Sequence, residues 1–296
     1  MQFSIYQESR RGARRSNQDR LAYCYSRNAL LMLVADGMGG HLHGEVAART
    51  AVQFITQAFR RDARPALPDP AEFLRQSIMG AHSAIIAGAA QSGLPETPRT
   101  TCVACVVQDG AACWAHAGDS RLYHIREGAI LAQTKDHTRV QQLVDQGRIR
   151  EEAVAVHPER NRIFSCLGSA QAPQVESSEA VPLRAGDILM LCSDGLWSPL
   201  SPKIISSVTL KGGIMRAVPE LLEEAERRAG HDCDNLSVIA MAWEADSPAA
   251  RPYLASPAPR KRGAADAQDG YLSDDDIEHA IAHIRNAIKG RTNDET

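Results

Sequence analysis

Four aspartates in this chain stand where an apolar run meets a turn of glycine, serine or asparagine. Asp36 closes LLMLVA and opens into Gly37, Gly39 and Gly40. Asp119 follows CWAHAG within GDSR, Asp194 closes ILMLCS ahead of Gly195, and Asp234 precedes LSVIAMA within DCDN. A strand that delivers a carboxylate into a glycine-rich turn puts oxygen ligands where a cation or phosphate can approach the backbone. Strand ends on one side of a sheet converge, and carboxylates gathered without cations repel and raise one another's pKa. Metal binding resolves that repulsion, and all-oxygen donors favour the hard ions Mg2+ or Mn2+. Each aspartate alone reads as a turn residue or helix cap. Four in matching contexts read as one site.

A candidate for holding an anion lies upstream. In RRGARRSNQDR, Arg14 precedes Asn17 and Asp19, which lead directly into a strand. A planar guanidinium can grip a phosphoryl group through two parallel hydrogen bonds. Other hydrolytic chemistries lack their signatures: there is no CxxxxxR phosphate loop, no GxxxxGK[ST] and no GxSxG. Asp232-Cys233-Asp234 superficially matches an aspartyl-phosphate motif, but it precedes its strand where that nucleophile should follow one. Cys102 and Cys105 form a CxxC within a strand-like run, where residues three apart face opposite sides. They read as buried small hydrophobes.

The elements that must position these residues alternate in blocks. Strands are expected at 2–6, 20–25 and 29–35, then helices at 44–60 and 70–90. Strands follow at 101–108, 111–117, 121–126 and 129–133. A surface helix is expected over 138–146, and the polar stretch to 172 reads as a flap over a site. Strands return at 174–181 and 187–192, helices at 200–208 and 214–229, and a last strand at 236–243. This order favours an α+β domain with antiparallel sheets. The domain is expected over 1–244, with the flap at about 138–172.

After Glu244 the composition shifts to Ala, Pro and Asp, as in a flexible linker over 245–272. SDDDIEHAIAHIRNAIKG then predicts a short amphipathic helix over 273–290, with Ile277, Ile281, Ile284 and Ile288 on one stripe. Such a helix is marginal alone, so docking on its own domain weighs equally with intermolecular docking, on a second copy or a partner. The 296 residues are 44% hydrophobic with a net charge of −3. They afford a sizeable core and give no basic excess for nucleic acid. No apolar run reaches the roughly 18–20 residues of a membrane span, and the N-terminus does not read as a signal peptide. Seven cysteines at scattered positions argue for a reducing compartment, hence a cytoplasmic location.

The ordered set of motifs resembles the metal-dependent protein phosphatase family, type 2C, in its bacterial form. It comprises RxxNQD at 14–19, DGMGGHxxGExAA at 36–48, TT at 100–101, GDSR at 118–121, DHT at 136–138, LG at 167–168, SDGLW at 193–197 and DNLS at 234–237. The resemblance runs over about 10–243. It implies a four-layer α-β-β-α sandwich of two antiparallel sheets flanked by helices. It also implies hydrolysis of phosphoserine and phosphothreonine in proteins by water activated between two Mg2+ or Mn2+ ions. Carried over by position, Asp36 would bridge the two metals, the Gly37 carbonyl would bind one, and Asp194 and Asp234 would complete the first. Asp119, with Asp194, would hold a third, weaker metal. Arg14 would bind the substrate phosphate, Asp19 would support metal-bound waters, and Asn17 would stand with it outside the direct metal ligands.

Some positions depart from the family pattern. Gln18 stands where Glu is common, Arg99 where Gly is usual, and Ser198 where an acid is frequent. Met38 stands where eukaryotic members carry a histidine, and neither His41 nor His43 is given that role. The implied partners are a phosphorylated protein and a cognate Ser/Thr kinase. One alternative is a regulatory member that binds a phosphoprotein, with catalysis secondary and the 273–290 helix as docking element. A third reading is hydrolysis of a small phosphoester.

Overall fold

A computed structural model describes residues 1–38, 43–210 and 212–244. The chain divides into two units, Met1–Pro248 and Ala249–Thr296. The expected linker and the expected helix over 273–290 lie outside the described residues, as do Gly39, Gly40 and His41.

The third strand shows how the sequence builds the layers. β1 spans Gln2–Arg10, β2 Arg20–Tyr25 and β3 Ala29–Ala35, and β3 is buried along its whole length. Leu30, Met32 and Val34 enter one core while Ala29, Leu31 and Leu33 enter another. Side chains alternate between faces, so a strand covered on both sides must be apolar throughout. Burying each such leucine stabilises the fold by about 1.5–3 kcal/mol. The later strands are β4 Cys102–Gln108, β5 Ala111–Ala117, β6 Arg121–Arg126, β7 Ala129–Gln133, β8 Glu176–Ser177, β9 Val181–Pro182, β10 Ile188–Cys192 and β11 Leu236–Glu244.

They form two antiparallel sheets. One has the order β1-β11-β10-β6-β7; the other runs β2-β3-β4-β5-β8, with β9 also on β5. Leu30, Met32, Val103, Trp114, Leu189 and Met241 fill the space between them. Helices α1 (Gly44–Asp62) and α2 (Pro70–Gln91) cover the outer face of the second sheet through Ile55, Phe59, Leu74 and Ile78. Short helices α3 (Arg139–Asp145), α4 (Asp194–Trp197) and α5 (Pro202–Ser206) precede the long α6 (Ile214–Ala229). The apolar face of α6, including Val218, Leu221 and Leu222, covers the first sheet. The architecture is the expected α-β-β-α sandwich. Helix α2 starts as its sequence dictates, with Asp69 accepting from the Glu72 amide at 3.0 Å and Pro70 in the first turn.

Three expectations needed adjustment. The strand over 174–181 is two two-residue pieces, because only those short runs pair with β5. The helix over 200–208 divides into α5 and a 3-10 turn, Ser207–Leu210. Residues 194–197, read as a turn, form the one-turn helix α4. Cys102 and Cys105 enter different cores, as their spacing on a strand requires.

Candidate active site

The four aspartates reach one cleft because each lies at a strand junction on the same end of the sandwich. Asp36 follows β3, Asp119 sits between β5 and β6, Asp194 follows β10, and Asp234 precedes β11. The cleft has a volume of about 570 Å³ and is lined by all four, with Arg14, Gly37, Gln18, Met38, Thr101, Asn161 and Ile163 among the rest.

The turns are tied together by hydroxyls. Asp36 donates its amide to Thr101 Oγ1 at 3.1 Å, and its carbonyl accepts from the Thr101 amide at 2.9 Å and Thr100 Oγ1 at 2.8 Å. Thr101 Oγ1 also shares a hydrogen bond with Ser120 Oγ at 2.7 Å. The paired threonines thus fasten the Asp36 turn to the loop that carries Asp119. On the other side, Ser193 Oγ donates to Asp19 Oδ2 at 2.7 Å and accepts from the Ser237 amide at 2.9 Å. Asn235 receives the Gln18 amide at 2.8 Å and donates to the Arg11 and Ser16 carbonyls. It staples the arginine-rich loop over Asp234.

Close backbone packing fixes two of these turns. A Cβ on Gly37 would lie 2.5 Å from the Gly44 carbonyl, and one on Gly195 would lie 2.1 Å from the Asn235 carbonyl oxygen. Both positions require glycine because another backbone occupies the space a side chain would take.

The electrostatics are strained. Burial, then Asp19, Asp194, Asp119 and Asp234, hold the Asp36 carboxyl well above the usual range. Burial and Asp194 do the same for Asp119. Burial and then Asp234 push Asp194 up to about 7. Asp19, 2% exposed, is raised chiefly by burial, and its Oδ1 is a buried oxygen with no hydrogen-bond partner. Carboxylates this close favour protonation or a cation. The donors are all oxygen, from Asp36, Asp119, Asp194, Asp234 and the Gly37 carbonyl, with an unsatisfied oxygen behind them. That set fits a hard divalent ion.

Arg14 reaches the cleft through Asp234, donating from Nε to Oδ1 at 2.8 Å and from Nη2 to Oδ2 at 2.5 Å. Asn17 does not line the cleft. Its side chain donates to Ser9 Oγ and accepts from the Asp19 amide, so it shapes the loop. Asp19 lies behind the cleft, on Ser193. His43 sits in the left-handed region at φ 69° and faces Glu45 at 3.7 Å.

The sequence reading did not single out a second cluster, His116, His137 and Glu176, whose ligand atoms lie within 4.8 Å of one another. The spacing would suit a metal; the proton on His137 does not. His116 Nε2 faces the Lys135 carbonyl at 2.6 Å and must carry its proton there. His137 Nδ1 accepts from the Gly118 amide at 3.2 Å, so the neutral ring is protonated on Nε2, toward Glu176 at 3.4 Å. A metal-ligating histidine donates its second N–H outward and keeps a lone pair for the ion, as His116 does with its unpartnered Nδ1, but His137 turns an N–H to where the ion would need a lone pair. With the neutral tautomers these contacts require, the cluster offers one imidazole lone pair, on His116 Nδ1, rather than two. Its rings stack at 4.6 Å, and burial holds both histidines below their ordinary pKa. No sequence spacing announced it, because 116, 137 and 176 meet only through the fold.

Two antiparallel sheets between helices, gathering carboxylates at one end, are the architecture of the metal-dependent phosphatases. Residues 7–225 match the family model for protein phosphatase 2C, and the chain belongs to that family. It is 36% identical over 232 residues to the serine/threonine protein phosphatase PstP of Mycobacterium tuberculosis. That match covers 78% of this chain and 43% of PstP, so the chain spans less than half of that relative's length. The crystal structure of the PstP catalytic domain in complex with two manganese ions superposes with a TM-score of 0.68 at 32% identity, covering 81% of this chain and 97% of that one. The Staphylococcus aureus phosphatase Stp1 superposes with a TM-score of 0.76 at 28% identity, covering 82% and 96%.

Proposed function

We propose that this chain is a metal-dependent protein serine/threonine phosphatase whose catalytic unit spans 1–244. The observation that carries the reading is the convergence of Asp36, Asp119, Asp194 and Asp234 with Arg14 in one cleft. Asp36, the Gly37 carbonyl, Asp194 and Asp234 would hold two Mg2+ or Mn2+ ions, and Asp119 with Asp194 a third. When bound, such ions supply a water acidified toward neutral pH and positive charge for the phosphoryl oxygens. The remaining work falls to the chain itself. Arg14 spends Nε and Nη2 on Asp234. A guanidinium has five N–H groups, so its Nη1 edge remains to orient a phosphoryl oxygen. Asp19, fixed by Ser193, holds a carboxylate oxygen toward the site from behind, and Asn17 keeps the Asp19 loop in shape. The flap residues Asn161 and Ile163 close one wall of the cleft, where a phosphoprotein would lie.

The substrate is a phosphorylated protein, and the reaction reverses that of a cognate Ser/Thr kinase. No helix among the described residues is long and apolar enough to cross a membrane. Seven free cysteines support a cytoplasmic setting. The regulatory alternative draws on 273–290 and gains nothing from the described residues. Turnover of a phosphothreonine peptide with Mn2+ tests the reading, comparing wild type with Asp36→Asn. The variant should lose nearly all activity, and equal rates in both would sink the catalytic assignment.

A further inference from the structure

Trp197 and Arg121 do not line the cleft, yet they connect two of its walls. Trp197 ends α4, the one-turn helix that begins at Asp194. Its indole Nε1–H donates to the backbone carbonyl of Asp119 at 2.9 Å. One side chain therefore joins the helix of one cleft carboxylate to the peptide of another. A half-buried indole could donate to water, and here it reaches across to a different loop instead.

The ring is also fixed in place. The Arg121 guanidinium lies 3.4 Å from its centroid. That guanidinium is held by two parallel bonds to Asp136, both 2.8 Å, and a third to the Tyr123 hydroxyl at 3.1 Å. The Arg121 and Asp136 side chains are 16% and 7% exposed. A desolvated, bidentate pair keeps one geometry, unlike a solvated surface pair, and the flat guanidinium stacks on the indole.

Asp119 and Asp194 repel each other, so a cation between them needs their separation set by something other than their own charges. We propose that Trp197 is a positioning residue that fixes Asp119 relative to Asp194, with the Arg121–Asp136 pair locking the ring that makes the link. The inference rests on the metal-dependent reading of the cleft. Outer groups that orient ligands typically carry about ten- to a hundredfold in metal affinity.

The test is Mn2+ binding to the full chain without substrate, read by electron paramagnetic resonance of the free ion. Trp197→Phe keeps a flat ring beneath Arg121 and deletes the N–H. Its weakest Mn2+ site should lose about tenfold in affinity, while tighter sites and the metal-free melting temperature stay near wild type. Arg121→Lys, which keeps the charge without the fork, should weaken the same site, and it carries the test if Trp197→Phe does not fold. Unchanged weak-site affinity, or an equal loss at every site, overturns the inference. Asp36→Asn is measured alongside. If it binds as much Mn2+ as wild type, the metal-dependent reading itself fails. If Asp36→Asn loses Mn2+ while Trp197→Phe binds as wild type, only the positioning role fails.

Discussion

Arg14 and Asp234 form a two-bond pair across 220 residues of sequence, at 2.8 and 2.5 Å. The arginine is 59% exposed and the aspartate 35%. The pair therefore adds little to stability once solvent screens it. Its consequence is orientation: Asp234 aims a guanidinium over the acidic floor. Arg14→Lys keeps a charge but loses the fork that grips Asp234 and a phosphoryl oxygen together. Steady-state kinetics on a phosphopeptide should show KM raised about tenfold, the loss of one charge-assisted hydrogen bond. An unchanged KM would remove Arg14 from substrate binding.

Asp36 and Asp119 should not be equivalent. Asp36 is beside Asp19, Asp194, Asp119 and Asp234, whereas the charges that raise Asp119 are Asp194 and Asp136. Asp36 therefore sits at the centre of the cluster and Asp119 at its edge. Asp36→Asn should lower kcat by at least about a hundredfold more than Asp119→Asn does. Side-by-side turnover of both variants at saturating Mn2+ checks the ranking, and the reverse order would overturn it.

The carboxylate cluster should cost the metal-free protein stability as pH rises, against the opposite and smaller contribution of the buried histidines. The Asp194 carboxyl goes from 3.8 to about 7, and Asp36 and Asp119 move the same way. A carboxyl that titrates higher when folded binds its proton more tightly in the folded state. Through Asp194 the folded state is therefore penalised progressively from about pH 4 to about pH 7, and that group's penalty is constant above it. In a chelator, the melting temperature should fall on the order of 5 °C across this window. Mn2+ should restore most of the loss at pH 7.5, and Asp36→Asn should flatten the slope. A pH dependence that Asp36→Asn leaves unchanged would contradict the strained cluster.

Most of this arrangement is legible in the chain, for identifiable reasons. The run Ala29–Ala35 must be a strand buried on both faces, and the acids flank such strands, so their convergence follows from antiparallel layering. Pro70 after Asp69 fixes the start of α2 in the same local way. What escaped depends on contacts remote in sequence. Nothing near Asp234 tells of Arg14's grip, and nothing near Trp197 tells that its indole bonds the Asp119 carbonyl. The helix at 194–197 was hidden because one turn has no periodicity to read. The weak strand at 174–181 looked continuous because local propensity does not reveal where a neighbour's edge ends.

Glycines separate the site from the scaffold in a way that can be measured. Gly195 packs against the Asn235 carbonyl oxygen, where an added Cβ would lie at 2.1 Å. Backbone cannot yield as a flexible side chain can, so Gly195→Ala must push α4 away from the start of β11. That separates Asp194 from Asp234. The expected result is a cost of about 1–3 kcal/mol, seen as a melting temperature several degrees lower, with Mn2+ affinity lost as well. Gly88 is the contrast. It lies in the exposed interior of α2 with nothing within 4 Å of its would-be Cβ. Gly88→Ala should add about 0.5–1 kcal/mol by limiting the unfolded chain and favouring helix, with activity and Mn2+ binding as in wild type. Thermal melts and Mn2+ titrations of the two variants, side by side, decide the matter. A Gly195→Ala protein that binds Mn2+ normally would mean that α4 tolerates displacement and that the close approach does not set the ligand geometry.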